Sequence, residues 1–158
     1  MKRLNQIYSN IVLNRENKII AEAEKLLYRR LVKKDVLLNS PEDVKRYLKI
    51  ILSERDREIF GCIFLDAQHQ MIEYRELFLG TLDHCSVHPR EVLKMAIQLN
   101  ASAVILTHNH PSGNACPSEA DKSITNEVKK ALALINIHVL DHFIVGEEVL
   151  SFSERRLL

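Results

Sequence analysis

Apolar residues recur with a helical rhythm over the first third of the chain and with a strand rhythm over much of the rest. Residues 16–33 place Ile19, Ile20, Ala23, Leu26, Leu27 and Leu31 near the helical period, which predicts an amphipathic helix. A second helix is expected from Ser40-Pro41-Glu42-Asp43. Serine there is an N-cap whose oxygen accepts from an orphan backbone N–H. Proline presets φ in the first turn, and the two acids face the positive end of the helix dipole. The apolar face of this helix is Val44, Tyr47, Leu48, Ile51 and Leu52, spaced i, i+3, i+4, i+7, i+8.

Two strand-like runs follow, at 57–66 and 71–80, and the polar segment 67–70 between them predicts a hairpin. A helix is expected after Pro89, through Glu91, Val92, Met95, Ala96 and Leu99, with Asn100 as terminator. Residues 101–107 form a continuous apolar run, as in a central strand covered on both faces. A loop at 108–117 leads to a helix with Ile124, Val128, Ala131, Leu132 and Ile135 on one face. Two last strands, about 137–145 and 148–152, flank a turn at Gly146. The expected fold class is α/β, a mixed sheet sandwiched by helices. Residues 1–56 read as a helical amino-terminal segment, packed on or leading into a domain of residues 57–158.

Composition narrows the class. The 158 residues fit one compact domain, and 46% hydrophobic with 27% charged content argues against disorder. No apolar run approaches the roughly 18 residues of a membrane span. The opening MKRLNQIYSN carries no signal-like apolar region, so a cytoplasmic protein without membrane contact is expected. Cys62, Cys85 and Cys116 are few, odd in number and widely spaced, which suits a reducing compartment. Charge is asymmetric: residues 1–56 hold 13 Lys/Arg against 8 Asp/Glu, and the remainder 9 against 13. Arg29, Arg30, Lys33 and Lys34 cluster at helical spacing and are candidates for nucleic-acid contact, the alternative being a solvated face.

The chemistry concentrates in one stretch, His108-Asn109-His110-Pro111-Ser112-Gly113-Asn114-Ala115-Cys116-Pro117-Ser118-Glu119-Ala120-Asp121. It begins at the carboxyl end of the predicted central strand, where open α/β sheets place ligands. Alternation puts the side chains of His108 and His110 on one side, so both imidazoles can grip one ion. Pro111, Gly113 and Pro117 turn the chain back. Ser118 is a helix N-cap, and Asp121, three residues on, stands at capping-box spacing. Asp121 is therefore read either as a cap alone or as a carboxylate ligand. Two histidines and an acid would leave a fourth tetrahedral position for water, as in catalytic zinc sites.

His-x-His-Pro, with seven residues (111–117) before Ser118-x-x-Asp121, resembles the JAMM signature of MPN-type metallopeptidases. With VHPRE at 87–91 and DHFIVG at 141–146, the string resembles the bacterial RadC family specifically, over about residues 57–158. The resemblance implies a JAMM/MPN, cytidine-deaminase-like architecture and one Zn2+ per chain held by His108, His110 and Asp121. It assigns Ser118 to steadying water or a developing oxyanion. Glu58-Ile59-Phe60-Gly61 fits the family's Glu-x-x-Gly, making Glu58 the general base, with Glu73, Glu76 and Glu91 next in order. The implied activity is a zinc metallopeptidase-like hydrolysis of an amide or isopeptide bond in a peptide or protein substrate. The string also marks His88, Arg90, Asn109 and Ser112 as cleft candidates. Asn109 departs from deubiquitinating relatives, many of which carry Ser or Thr there, so the metal site transfers better than a ubiquitin-like substrate.

Longer RadC proteins carry a helix-hairpin-helix region whose glycine hairpins approach DNA. Residues 1–56 contain no glycine, so that module is not expected in them, which weakens the DNA-repair association. The contiguous His-Asn-His is not an HNH nuclease, whose three residues are separated in sequence. A zinc deaminase needs H-x-E and P-C-x-x-C, which are missing here. The competing class is a non-catalytic MPN-fold module acting on DNA or a protein partner. A homodimer through the edge strand after Gly146 is a further expectation. His142 beside Asp141 is read as a strand histidine or one oriented by that carboxylate. Cys116 is read as an ordinary loop thiol.

Overall fold

The computed structural model describes residues 15–27, 40–80 and 87–158. Helix α1 covers residues 15–27, so the described part of the first predicted helix is helical, while Leu31 lies outside the described residues. Then come α2 (Pro41–Leu52), β1 (Ile59–Leu65), β2 (Met71–Leu79), α3 (Pro89–Gln98), β3 (Ala103–Asn109), α4 (Glu119–Ala133), β4 (His138–Val145) and β5 (Val149–Ser151). The five strands lie in the order β2-β1-β3-β4-β5. Every neighbouring pair is antiparallel except β3 and β4, which run parallel with α4 as their crossover.

Each face of this mixed sheet has its own apolar core. Phe60, Cys62 and Phe64 of β1 and Val104 and Leu106 of β3 meet Val92 and Ala96 of α3 and Val128 and Leu132 of α4. The alternate residues, Ile59, Ile63, Ala103, Ile105, Phe143 and Val145, meet Val44, Tyr47, Leu48, Ile51 and Leu52 of α2. Those five α2 residues are the stripe read from the sequence. Ser40 caps that helix through the Asp43 N–H, as its residue type demands.

Two boundaries differ from the expected pattern. The central strand does not stop at Thr107: His108 pairs with Phe60 of β1 and Ile144 of β4, and Asn109 with Val145. Flanking strands on both sides hold the backbone extended where the polar side chains suggested a loop. The fourth helix ends before Ile135, which lies on the surface. Asn136, at φ 56°, turns the chain in the left-handed region that asparagine tolerates.

Candidate metal centre

The site lies where β3 leaves the sheet. His108 shares the α4 side with Phe60, and His110 follows one residue beyond the strand end, its N–H still donating to Val145 O at 2.8 Å. The two imidazoles stand edge to face with centroids 4.5 Å apart. A tight turn closes with the Gly113 N–H on His110 O at 2.9 Å, and Gly113 has φ +83°, a conformation that favours glycine. This loop is seated on Gly146: a Cβ there would sit 2.3 Å from Gly113 O and 2.8 Å from Ala115 N. The glycine ending the DHFIVG stretch is thus required by the loop that carries His110. Lys49 of α2 fastens the same turn, donating to Gly146 O at 2.7 Å and to Glu147 O.

α4 brings back the carboxylate. Ser118 Oγ accepts from the Asp121 N–H at 3.1 Å, and Asp121 Oδ2 accepts from Ser118 N and Oγ at 2.7 Å each. This reciprocal capping box fixes the Asp121 rotamer. His108 Nε2 faces Asp121 Oδ1 at 3.6 Å, and His110 Nε2 faces Oδ2 at 3.5 Å. The ligand atoms of Glu58, His108 and His110 lie within 4.8 Å of one another. Asp121 stands outside that trio. Atoms bound tetrahedrally at about 2.0–2.1 Å are about 3.3–3.4 Å apart, so either Asp121 or Glu58 could complete a metal set with the two histidines.

The electrostatics suit a cation. Burial pushes His108 down to about 4 against the pull of Asp121, so its ring is neutral at pH 7 and its lone pair is available. His110 is shifted upward, first by its contact with Asp121, which outweighs burial, and also by Asn114 O. Its Nδ1 lies 2.6 Å from that carbonyl, which can only accept, so Nδ1 carries a proton and Nε2, facing the carboxylate, is the atom a metal would take in exchange for a proton. For Asp121, burial acts upward, but the His110 contact, the His108 charge and the Ser118 donors prevail and hold it well below the usual carboxylate range. Buried His108 Nδ1 has no hydrogen-bond partner among the described residues. Two imidazoles, His108 neutral and His110 able to exchange its Nε2 proton for a metal, and an anionic carboxylate are a donor set that fits zinc.

Glu58, half-buried, precedes β1, and Gly61 explains the spacing behind it. A Cβ on Gly61 would sit 2.8 Å from Tyr74 Oη and 2.9 Å from Arg75 O, so only glycine lets β2 lie this close. The other glutamates are engaged elsewhere: Glu73 with Arg75, Glu76 with Arg55, and Glu91 with Arg90. Arg90 is exposed and pairs with Glu91, and His88, also exposed, packs edge-on against Phe78 at 6.0 Å. Ser112 and exposed Cys116 line a cavity of about 540 Å³ on the outer side of the loop, with Glu147, Glu148 and Arg155. Asn109 is buried and turned to the α2 side, hydrogen-bonded to the backbone around Glu58. Arg29, Arg30, Lys33, Lys34 and Cys85 lie outside the described residues.

Two residues that the sequence did not assign to the site adjoin it. His142 is fully buried, with its ring 5.7 Å from that of His108, and burial pushes it down to about 3. Asp141 does not orient this ring. Its carboxylate accepts from the His142 N–H, Ser151 Oγ and Ser153 N. Instead Thr125 Oγ1 donates to Asp121 O and accepts from His142 Nδ1, leaving His142 Nε2 a buried acceptor without a partner among the described residues. The only hint was a threonine at i+4 from Asp121, a polar member of an otherwise apolar stripe.

A mixed α/β sheet between helices, with a His-x-His strand end answered by a capped aspartate, defines a JAB/MPN-type domain. The RadC-like JAB domain family matches residues 38–157. The chain belongs to that family. A UPF0758 protein of Leptothrix cholodnii is 52% identical over 141 residues, covering 89% of this chain and 63% of its own length. One from Vibrio cholerae is 46% identical over 140 residues, covering 89% and 88%. One from Nitrosococcus oceani is 55% identical over 128 residues, covering 80% and 57%. The chain therefore spans less than two thirds of two of these relatives. Among the described residues no helix is long and apolar enough to cross a membrane.

Proposed function

We propose that the chain is a zinc-dependent hydrolase that cleaves an amide or isopeptide bond in a peptide or protein substrate. One observation carries this reading: two imidazole Nε2 atoms converge on the two oxygens of one carboxylate, at 3.6 and 3.5 Å, with Glu58 beside them. His108, His110 and Asp121 would hold the ion. A divalent cation there supplies Lewis acidity, lowering the pKa of water towards 7 and polarising a carbonyl.

The protein groups divide the rest of the work. Glu58 accepts the proton of the attacking water as the C–O bond forms and the carbonyl becomes an oxyanion, then returns that proton to the leaving amine as the C–N bond breaks, with no net proton change at Glu58. Asn114 O fixes the His110 tautomer. Ser118 has one hydroxyl proton, and Asp121 Oδ2 holds it, so Ser118 first serves to orient that carboxylate. Donation from Ser118 to an oxyanion requires giving up that bond.

An unbiased peptide-cleavage screen on zinc-loaded protein tests the reading. Cleavage by the wild type, lost in Glu58→Gln with zinc retained, is expected. A fully loaded wild type that cleaves no member of the library contradicts it.

A further inference from the structure

We propose that Asn109 is a positioning residue for Glu58, its side-chain amide holding the backbone on both sides of that glutamate. The inference rests on the metallohydrolase reading above. The backbone ladder between β1 and β3 has its last rung at Phe60 and His108. Beyond it the chain follows β4, where the His110 N–H donates to Val145 O. The side chain of Asn109 takes over the missing rung. Its Oδ1 accepts from the Ile59 N–H at 2.8 Å, and its Nδ2 donates to Arg57 O at 2.9 Å. These are the residues immediately before and after Glu58. The carbonyl of Glu58 itself accepts from the Gly80 N–H at 2.8 Å.

Only a primary amide of this length performs the task. It presents an acceptor and a donor in one plane, as a peptide group does. Serine and threonine offer both functions from a single oxygen, aspartate offers no donor, and glutamine is one methylene longer. Asn109 is 2% exposed and both its polar atoms are satisfied, so the clamp is dry and permanent. It also links the two halves of the site through one residue. The same β3 segment that turns His108 and His110 towards α4 turns the intervening side chain to the opposite side, where it sets the height of Glu58 beside the rings. Alternation along one strand thus couples the ligands to the base.

The test is a double-mutant cycle on zinc binding, read by chelator competition with the full chain and no substrate. Asn109→Ala and Glu58→Gln are each expected to bind one equivalent with affinity reduced about 10–100-fold, the range for groups acting through a ligand shell. The double variant is expected to bind no more weakly than the weaker single variant, since the clamp acts only through Glu58. Losses that multiply, or unaltered affinity in Asn109→Ala, overturn the proposal. Amide exchange at Ile59 in the metal-free protein gives a second reading. It should accelerate in Asn109→Ala and not in Glu58→Gln, and unchanged exchange overturns the clamp. If Asn109→Ala does not fold, Asn109→Ser completes the same cycle with a smaller loss. A wild type that binds no zinc overturns the metallohydrolase reading itself, an outcome distinct from a cycle that proves additive.

Discussion

The two faces of the sheet diverge at the carboxyl end of β3. On the α2 face the strand end is closed: five apolar residues of α2 cover it, and the polar Asn109 has both its groups paired. On the α4 face, one residue away, His108 Nδ1 and His142 Nε2 are buried and unpaired, and a carboxylate stands between two rings. An unsatisfied buried polar group costs about 1–3 kcal/mol. Tyr74 Oη and Thr107 Oγ1 on the α2 side are likewise buried without a partner among the described residues, so the two faces differ in the chemistry of their unpaired atoms, hydroxyls on one and imidazoles on the other. Of the two faces, only the α4 face gathers, among the described residues, groups that could hold a metal.

Substitutions on the two faces should therefore fail in different ways. The largest effect is expected from Glu58→Gln, with cleavage reduced about 10²–10⁴-fold at unchanged zinc stoichiometry. Steady-state kinetics beside elemental analysis reads this, and loss of zinc instead would make Glu58 a ligand. On the α2 face, Leu48→Ala should lower the unfolding free energy by about 2–5 kcal/mol in denaturant titrations, leaving one zinc per folded chain.

The α4 face should show itself in acid. Unfolded histidines bind protons below about pH 6.5, whereas buried His108 and His142 resist protonation until about 4 and about 3. The unfolded state then binds more protons, so stability falls as pH falls. Between pH 7.5 and 5.5 each contributes a loss of about 1.4 kcal/mol in metal-free protein, and His110, shifted upward, offsets part of the sum because its protonation favours the folded state. Asp121, held low, adds its own loss only below the usual carboxylate range. A flat stability profile across that window would contradict the burial of the two rings. The smallest effect is expected from Ser118→Ala, about 1 kcal/mol from the lost cap, with zinc affinity reduced about tenfold as Asp121 loosens.

Much of this arrangement was legible in the sequence, for physical reasons. The stripe from Val44 to Leu52 and the Ser118–Asp121 capping box depend on local spacing, and both stand as read. His108 and His110 share a side because strand alternation allows nothing else. Asn109 was legible only as an odd residue between them, because its partners, Arg57 and Ile59, come from another strand. His142 was hidden for the same reason, since its neighbour in sequence, Asp141, is not its neighbour on the sheet face. The need for glycine at 146 came into view only when the 113–115 loop was seen resting against it.

The central claim is that one strand end and one helix start share a single divalent ion. Elemental analysis of purified protein, wild type beside the His108→Ala, His110→Ala double variant, tests it most directly. About one equivalent of zinc in the wild type and essentially none in the folded variant is the expected result. A variant that keeps its full equivalent would contradict the account.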